Sequence, residues 1–538
     1  MEIDAIRLEV HRHLFAALAE EMGAALRRAA YSPNIKERRD YSCAVFNAHG
    51  RVVAMGDHMP VHLGAMPMSV AAALAAAAPL ESGDVVILND PFAGGTHLPD
   101  ITLISAVYAA GTTGPIAHLA ARAHHADVGG MTAGSMPLAR EIYQEGLRIP
   151  AIRLVRKGER VADVWRLVLA NVRTPAEREG DIEAQLAALS TGERRLIDLV
   201  ERRGAAEVAA AMDALLAYAD RLVRAGLARL PDGEYRAEDV LDDDGFGSGP
   251  LPIRVRIEVG GENAVVDFTG SAPQAEGGVN AVAAITMSAV RYAFRCVFEA
   301  QLGQPLPAGG GEMGALRLVL PEASVVAARP PASVAAGNVE TSQRITDVVL
   351  DALAAALPDL MAAQSQGTMN NLTVGGIDPR SGEPFAYYET MAGGMGAGPA
   401  GPGLSGVHVH MSNSLNTPIE ALEHAYPVRV RRYGLRRGSG GRGRHAGGDG
   451  VRRDIELLVD ADISLLTERR LHPPRGRAGG GPGACGENVR IRSGIEEPLP
   501  GKVTLRARAG DVISIRSPGG GGGGEEDGSA AGEGPGNG

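Results

Sequence analysis

Apolar residues recur at every fourth position at the start of the chain. Ile6, Val10, Leu14, Leu18, Met22 and Leu26 make one stripe, which predicts an amphipathic helix from Asp4 to Ala30. RRDYSCAVFNAHGRVVAM follows and reads as two short strands joined at Asn47-Ala48-His49-Gly50. Three more strand-type runs are Asp84 to Asn89 (DVVILN), Ile101 to Tyr108 (ITLISAVY) and Pro115 to Ala123 (PIAHLAARA). The last two flank the turn-rich Gly111-Thr112-Thr113-Gly114. From Val161 to Leu230 the spacing turns helical and predicts two long helices. Pro175 suits the first turn of one and Gly204 its end.

Strands return in PIRVRIEVGGENAVVDFTGS, a hairpin about Gly260-Gly261. Helices are predicted again over Asn280 to Leu302 and Thr341 to Ala363, and the last hundred residues alternate short β runs with Arg and Gly clusters. The pattern predicts an α+β fold: mixed and multi-layered, with antiparallel strands, long helices and a β-rich C-terminal region. The expected units are 1–235 (N-terminal, helical, with the candidate site), 236–425 (central α/β) and 426–520 (β-rich). A disordered Gly-rich tail is expected over 521–538, where nothing apolar is available to bury.

Composition excludes several classes. A formal charge of −11 argues against nucleic acid or an anionic membrane as partner. The arginine-rich strip from Arg429 to Arg453 carries only Tyr433 as an aromatic, so it reads as a subunit or anionic-substrate surface rather than an RNA site. Three scattered cysteines, Cys43, Cys296 and Cys485, suit a reducing compartment. The charged N-terminus lacks an apolar signal core, and the apolar stretch from Val70 to Leu80 is too short to span a bilayer, so a cytoplasmic location is expected. The only Gly-Lys, Gly501-Lys502, precedes Val503, so there is no P-loop. Neither a GxGxxG in Rossmann context nor a GxSxG elbow is present.

The chemistry concentrates near the N-terminus, at His62 in GDHMPVHLG, His97 and Asp100 in NDPFAGGTHLPD, and His124 and Asp127 in RAHHADVGG. If the strands either side of Gly111–Gly114 pair as an antiparallel hairpin, residue 124 falls opposite residue 101, at a Cα separation of about 4.5–5.5 Å. His124 then sits beside Asp100, with His97 three residues away. Lone histidines usually satisfy loop hydrogen bonds, but two imidazoles and a carboxylate on one hairpin make a ligand set. Its N and O donors suit Zn²⁺, Mn²⁺ or Fe²⁺ better than Ca²⁺ or Mg²⁺.

Beyond these residues, RRDYSCAVF, PVHLGAM, NDPFAGGTHLPD, AHHADVGG, NVRTPAEREGDIEAQ, GNVETSQRITDVV, YETMAGGMGA, HVHMSNSLNTPIEALE and the terminal SPGGGG run in order from Asp4 to Gly524. Together they make the chain resemble the hydantoinase B/oxoprolinase family. One departure is Glu525-Glu526-Asp527, where relatives carry an aromatic residue and GDP after the glycine run. The resemblance implies a B-type subunit of an ATP-dependent enzyme, working in a hetero-oligomer with an A-type ATPase subunit that consumes the ATP and phosphorylates the substrate oxygen. It implies a divalent metal, Mn or Zn, on His97, Asp100 and His124, with Asp127 and His62 as supporting or substrate-contact groups. Glu389 in YETMAGG and His408 or His410 in GVHVHMSN are polar groups in glycine-flanked segments, expected as acid/base or substrate contacts. The implied activity is cyclic amide hydrolysis of the 5-oxoprolinase or N-methylhydantoinase type. The alternatives are an acetone- or acetophenone-type ketone carboxylase subunit and a non-catalytic scaffold for the ATPase.

Overall fold

The computed structural model describes residues 3–56, 59–307 and 314–526. Strands β1 (Tyr41–Asn47), β2 (Val52–Met55), β3 (Val85–Leu88), β4 (Asp100–Val107), β5 (Ala117–His124), β6 (Ile152–Arg156) and β7 (Glu159–Arg160) form a seven-stranded sheet in the order β2-β1-β5-β4-β3-β6-β7. Every pair in it is antiparallel. Both faces are covered, which is why the strands read as continuous apolar runs rather than alternating ones. On one face Cys43, Val45, Leu103 and Leu119 pack with Phe15, Met22, Ala188 and Leu196 of helices Ala5–Ala29 and Pro175–Arg203. On the other, Phe46, Val86, Ile104 and Ala120 meet Met66, Val70, Ala73 and Ala77 of helix Ala65–Ala77.

That second face corrects one expectation. The helical run Pro60–Ala77 is long and apolar enough to cross a membrane by length and composition. Half of it, 50%, is buried inside the fold, because its apolar residues are the lid on the sheet.

Strands β8 (Gly233–Leu241), β9 (Leu251–Gly260), β10 (Asn263–Asp267) and β11 (Leu316–Val319) form a second sheet, ordered β11-β10-β9-β8. Helices Ala283–Leu302 and Ser342–Ala356 follow the predicted spans, the second entered through a π-helical turn at Gly337–Thr341. The third sheet is β13-β12-β16-β19, from β12 (Asn371–Ile377), β13 (Pro384–Glu389), β16 (Ala461–Leu466) and β19 (Lys502–Ala507). The fourth is β14-β15-β20-β17-β18, from β14 (Val428–Arg436), β15 (Gly450–Leu457), β17 (Glu487–Arg492), β18 (Ile495–Leu499) and β20 (Val512–Arg516). The division expected between 425 and 426 is therefore crossed by the β12–β16 ladder. Likewise one apolar core joins Phe15, Phe268, Phe298 and Leu466 across the division expected at 235 and 236.

Beside the last two sheets, glycine segments pack backbone to backbone. Gly441 N donates to Gly520 O at 2.8 Å, Gly520 N to Gly448 O at 2.9 Å, and Gly522 N to Gly481 O at 2.9 Å. A Cβ on Gly448 would lie 1.9 Å from Leu404 O, and one on Gly520 would lie 2.1 Å from Met395 O, so only glycine permits this approach. The expected start of the disordered tail is corrected here. Gly521, Gly522 and Gly523 are buried in this knot, because backbone hydrogen bonds anchor a segment that has no side chains to anchor it. Residues 527–538 of that expected tail lie outside the described residues.

Candidate metal centre

The hairpin between β4 and β5 forms, with a register one residue away from the expected one. Val107 pairs with Ala117, and counting back along the ladder sets Asp100, not Ile101, directly opposite His124. The shift matters because side chains alternate between faces, and directly paired residues share one. Asp100 and His124 therefore point the same way, at the open end of the hairpin.

His97 reaches the same point from the loop before β4. Asp90 Oδ1 accepts from Phe92 N at 3.0 Å, and Asn89 Nδ2 donates to Leu98 O at 2.7 Å, so both ends of the loop are tied. Thr96 Oγ1 donates to Asp100 Oδ2 at 2.5 Å. His62 arrives on the short helix Pro60–His62, its Nδ1 2.8 Å from Ser42 Oγ on β1 and its Nε2 3.5 Å from Asp100 Oδ2.

His97, Asp100 and His124 each offer one ligand atom, and these atoms lie within 4.8 Å of one another. All three residues are buried, as is His62. Burial and the neighbouring His97 hold His124 well below the ordinary imidazole range, and burial lowers His62 as well. Burial opposes the charge on Asp100, yet His97 and His62 beside it hold its carboxyl well below the usual range. Imidazoles held neutral at His62 and His124 beside an ionised Asp100 are protonation states a cation needs. His124 Nε2 and Asn338 Oδ1 are buried without hydrogen-bond partners. Buried polar atoms without partners are costly unless something satisfies them, and a divalent cation beside them fits that need.

The rings are held from segments far away in sequence. Asn34 Nδ2 lies 2.8 Å from His124 Nδ1, and Asn34 Oδ1 accepts from Arg38 Nη1 at 2.5 Å. Tyr388 of β13 stacks on His124 with ring centroids 4.4 Å apart and planes 9° from parallel, and Arg38 lies over its ring at 4.9 Å. Asn338, on the π-helical turn, brings Nδ2 to 3.0 Å from His97 Nε2. That turn hugs its neighbour, since a Cβ on Gly337 would lie 1.9 Å from Asn280 O. Asp40 lines the narrow cavity at the centre together with His62, Asp100, His124 and Asn338. Burial pushes its carboxyl up to about 6, with Arg38 pulling the other way. Asn34, Arg38, Asp40, Asn338 and Tyr388 are not singled out by the sequence reading, although Arg38 and Asp40 lie in RRDYSCAVF, Asn338 in GNVETSQRITDVV and Tyr388 in YETMAGGMGA.

Other expected residues lie elsewhere. Asp127 ties its loop to the segment before helix Pro175–Arg203: Oδ1 accepts from Gly129 N at 3.0 Å and Arg173 N at 3.0 Å, and Oδ2 from Arg173 Nη1 at 2.9 Å. Glu389 follows Tyr388 on β13, so it points to the opposite face. There Oε1 lies 2.8 Å from Arg453 Nε, and Oε2 accepts from Tyr387 at 2.8 Å. His408 Nδ1 lies 2.7 Å from Ser412 Oγ, and removal from water with Arg38 nearby lowers its ring to about 3. His410 Nε2 lies 3.7 Å from Asp347 Oδ1, and burial lowers it to about 4. Neither histidine lines the central cavity.

Fold and site together define an α+β protein with a buried, three-ligand candidate metal centre. The chain belongs to the hydantoinase B/oxoprolinase family, whose model matches residues 4–526. It is 39% identical over 546 residues to 5-oxoprolinase 1 of Arabidopsis thaliana, covering 96% of this chain and 41% of that protein. The chain thus spans about two fifths of that relative's length. The ATP-dependent caprolactamase from Pseudomonas jessenii is similar in structure, with a TM-score of 0.88 at 29% identity, covering 98% of this chain and 92% of that one. An acetone carboxylase structure shares the fold, with a TM-score of 0.84 at 17% identity, covering 97% of this chain and 76% of that one.

Proposed function

We propose that this chain is the ring-opening subunit of an ATP-dependent cyclic amide hydrolase of the 5-oxoprolinase or hydantoinase type, working with an A-type ATPase subunit in a hetero-oligomer. The observation that carries the reading is the convergence of the buried His97, Asp100 and His124 beside buried polar atoms that have no hydrogen-bond partner. A relative named 5-oxoprolinase and a structural neighbour named caprolactamase support the hydrolase class. The carboxylase neighbour, at 17% identity, supports the fold alone. More than half of the Arabidopsis relative lies outside the match, and in this reading an A-type subunit performs the phosphorylation.

A cyclic amide resists water because resonance stabilises its carbonyl. Phosphorylation of the carbonyl oxygen ends that resonance and makes the carbon electrophilic. Water adds to it, the ring C–N bond breaks as the nitrogen takes up a proton, and hydrolysis of the resulting acyl phosphate releases phosphate and the free acid. His97, Asp100 and His124 would hold a Mn²⁺ or Zn²⁺ ion, which supplies Lewis-acid activation of water or of the substrate oxygen. Tyr388 and Asn34 keep the His124 ring in one orientation, and Asn338 does the same for His97. Asp40, raised to about 6, is poised to take up and return a proton near neutral pH. Val61, Val339 and Met369 wall the cavity and exclude bulk water from a labile intermediate.

Two measurements test the reading. The purified chain should retain close to one divalent transition metal by elemental analysis. Mixed with its A-type subunit, it should show ATP turnover stimulated by a cyclic amide, with ring-opened product. His97→Ala, Asp100→Ala and His124→Ala should still assemble but lose product while some ATP hydrolysis persists. Robust ring opening by the isolated chain without nucleotide would overturn the reading.

A further inference from the structure

A second cleft opens to the surface beside the centre, and the established family relationship gives it no role. It offers about 180 Å³ of space to a water-sized sphere between Met55, Met59, Pro60, Leu63, Tyr292 and Cys296, and it is open to solvent. Binding sites for small molecules combine apolar walls with a few polar groups. Here the polar rim is the Arg295–Glu299 pair, with Nε and Oε1 2.8 Å apart.

Its relation to the centre is set by four consecutive residues. Met59 lines both this cleft and the central cavity. Pro60 lines the outer cleft, while Val61 and His62 line the inner one. The segment Met59–His62 is therefore the partition between the two, and Met59, at the start of the short helix, is the residue of it common to both linings. Ser414, on the wall of the inner cavity, donates to Met59 Sδ at 3.7 Å. A methionine has three rotatable bonds and no branching, so it moves aside at less cost than any other apolar residue of its size.

Resting on the hydrolase reading above, we propose that this cleft is the entrance and ring-binding subsite of the centre, and that Met59 sets which rings pass. Its apolar walls take cyclic amides whose ring carbons are mostly methylene, with the amide directed inward past Met59. Strongly polar rings such as hydantoin gain less there, because they desolvate without finding partners.

Cys296 is exposed and sits in the cleft, which makes it a reporter independent of catalysis. The intact chain, without nucleotide, is treated with N-ethylmaleimide, and labelling of Cys296 and of the half-buried Cys485 is followed by peptide mass spectrometry. Adding ε-caprolactam should slow Cys296 labelling several-fold, with 2-pyrrolidone weaker and hydantoin weakest, and leave Cys485 unchanged. Met59→Ala should extend protection to larger lactams, and Met59→Phe should weaken it for all. Equal labelling of Cys296 with and without saturating lactam, in the native chain, would overturn the proposal. Unchanged turnover by a reconstituted enzyme fully alkylated at Cys296 would do so too. Because protection is read without ATP or partner, it persists even if the ATP-dependent reading fails, so the two failures are distinguishable.

Discussion

Two regions of this molecule are equally buried and built on opposite principles. The histidine centre is made of side chains: four functional groups on β4, β5, one loop and a short helix, oriented by Asn34, Asn338 and Tyr388 from remote segments. The glycine knot is made of their absence, with Gly441, Gly448, Gly481, Gly520 and Gly522 joined through main-chain amides and carbonyls. In the first, a substitution removes chemistry and leaves space. In the second, it adds volume where there is none. The centre should therefore tolerate mutation structurally while losing function, and the knot should do the reverse.

The largest expected effect follows from that contrast. Gly448→Ala would put a methyl 1.9 Å from Leu404 O and 2.4 Å from its carbonyl carbon, both backbone atoms that cannot rotate away. The cost should exceed about 4 kcal/mol, in the range reserved for severe overpacking. Little soluble protein should be recovered, and what is recovered should unfold at much lower denaturant. A Gly448→Ala chain with native urea midpoint would break the comparison at its strong end.

At the centre, His124→Ala should abolish retained metal yet cost only about 1–3 kcal/mol of stability, through lost stacking on Tyr388 and the lost contact between Asn34 Nδ2 and the ring. Asn34→Ala should keep the ligands and weaken metal affinity by about 10–100-fold, the usual effect of removing a ligand's orienting partner. Elemental analysis and a metal-buffered titration, set beside thermal melts, separate the two effects. If His124→Ala unfolds as readily as Gly448→Ala, the centre is a structural keystone and the contrast fails.

This difference also decides what the sequence reveals. His97, Asp100 and His124 were legible because imidazole and carboxylate are uncommon in apolar strands, and the hairpin between them shows its turn residues. The register was missed by one, because the connection from Tyr108 to Ile116 is too long for turn type to fix the pairing. Asp127 and Glu389 look equally chemical in sequence, yet one is held by Gly129 and Arg173 and the other faces the far side of β13. The roles of Asn34, Asn338 and Tyr388 were not legible, even though the last two lie in GNVETSQRITDVV and YETMAGGMGA, because polar residues in ordinary surroundings acquire meaning only from what folds against them. The glycine knot was read as a loose tail for the same reason: composition shows that nothing can be buried by side chains, and says nothing of burial by backbone.

Smaller effects test the links between these regions. Burial pushes Glu145 from about 4.5 up to about 7, while its Oε1 accepts from Val334 N at 2.6 Å and Ala335 N at 2.9 Å. The folded chain thus keeps a proton on Glu145 that the unfolded chain releases above about 4.5. Its contribution is fully present below that value and is lost as pH rises through about 7. Glu145→Gln should flatten this part of the stability profile, read as urea midpoints across the interval. An unchanged slope would show that the loop leading to Asn338 is held without that proton.

The smallest effect is expected at the C-terminus, where the knot ends. Gly523 N donates to His445 O at 2.9 Å and Gly524 N to Arg477 O at 3.0 Å, so both residues still belong to the backbone lattice. Glu525 and Glu526 are exposed. Deleting Glu525 to Gly538 removes a segment without large apolar groups and leaves those bonds in place. Stability should change by no more than about 0.5 kcal/mol, as for surface changes that touch no special feature. Deleting from Gly520 onward removes the threaded strand itself and should behave like Gly448→Ala. The boundary between a neutral and a ruinous truncation should therefore fall between Gly520 and Glu525, within five residues of sequence that composition alone cannot tell apart. Equal melting temperatures for the two truncations would show that the glycine strand is not what holds this end of the molecule.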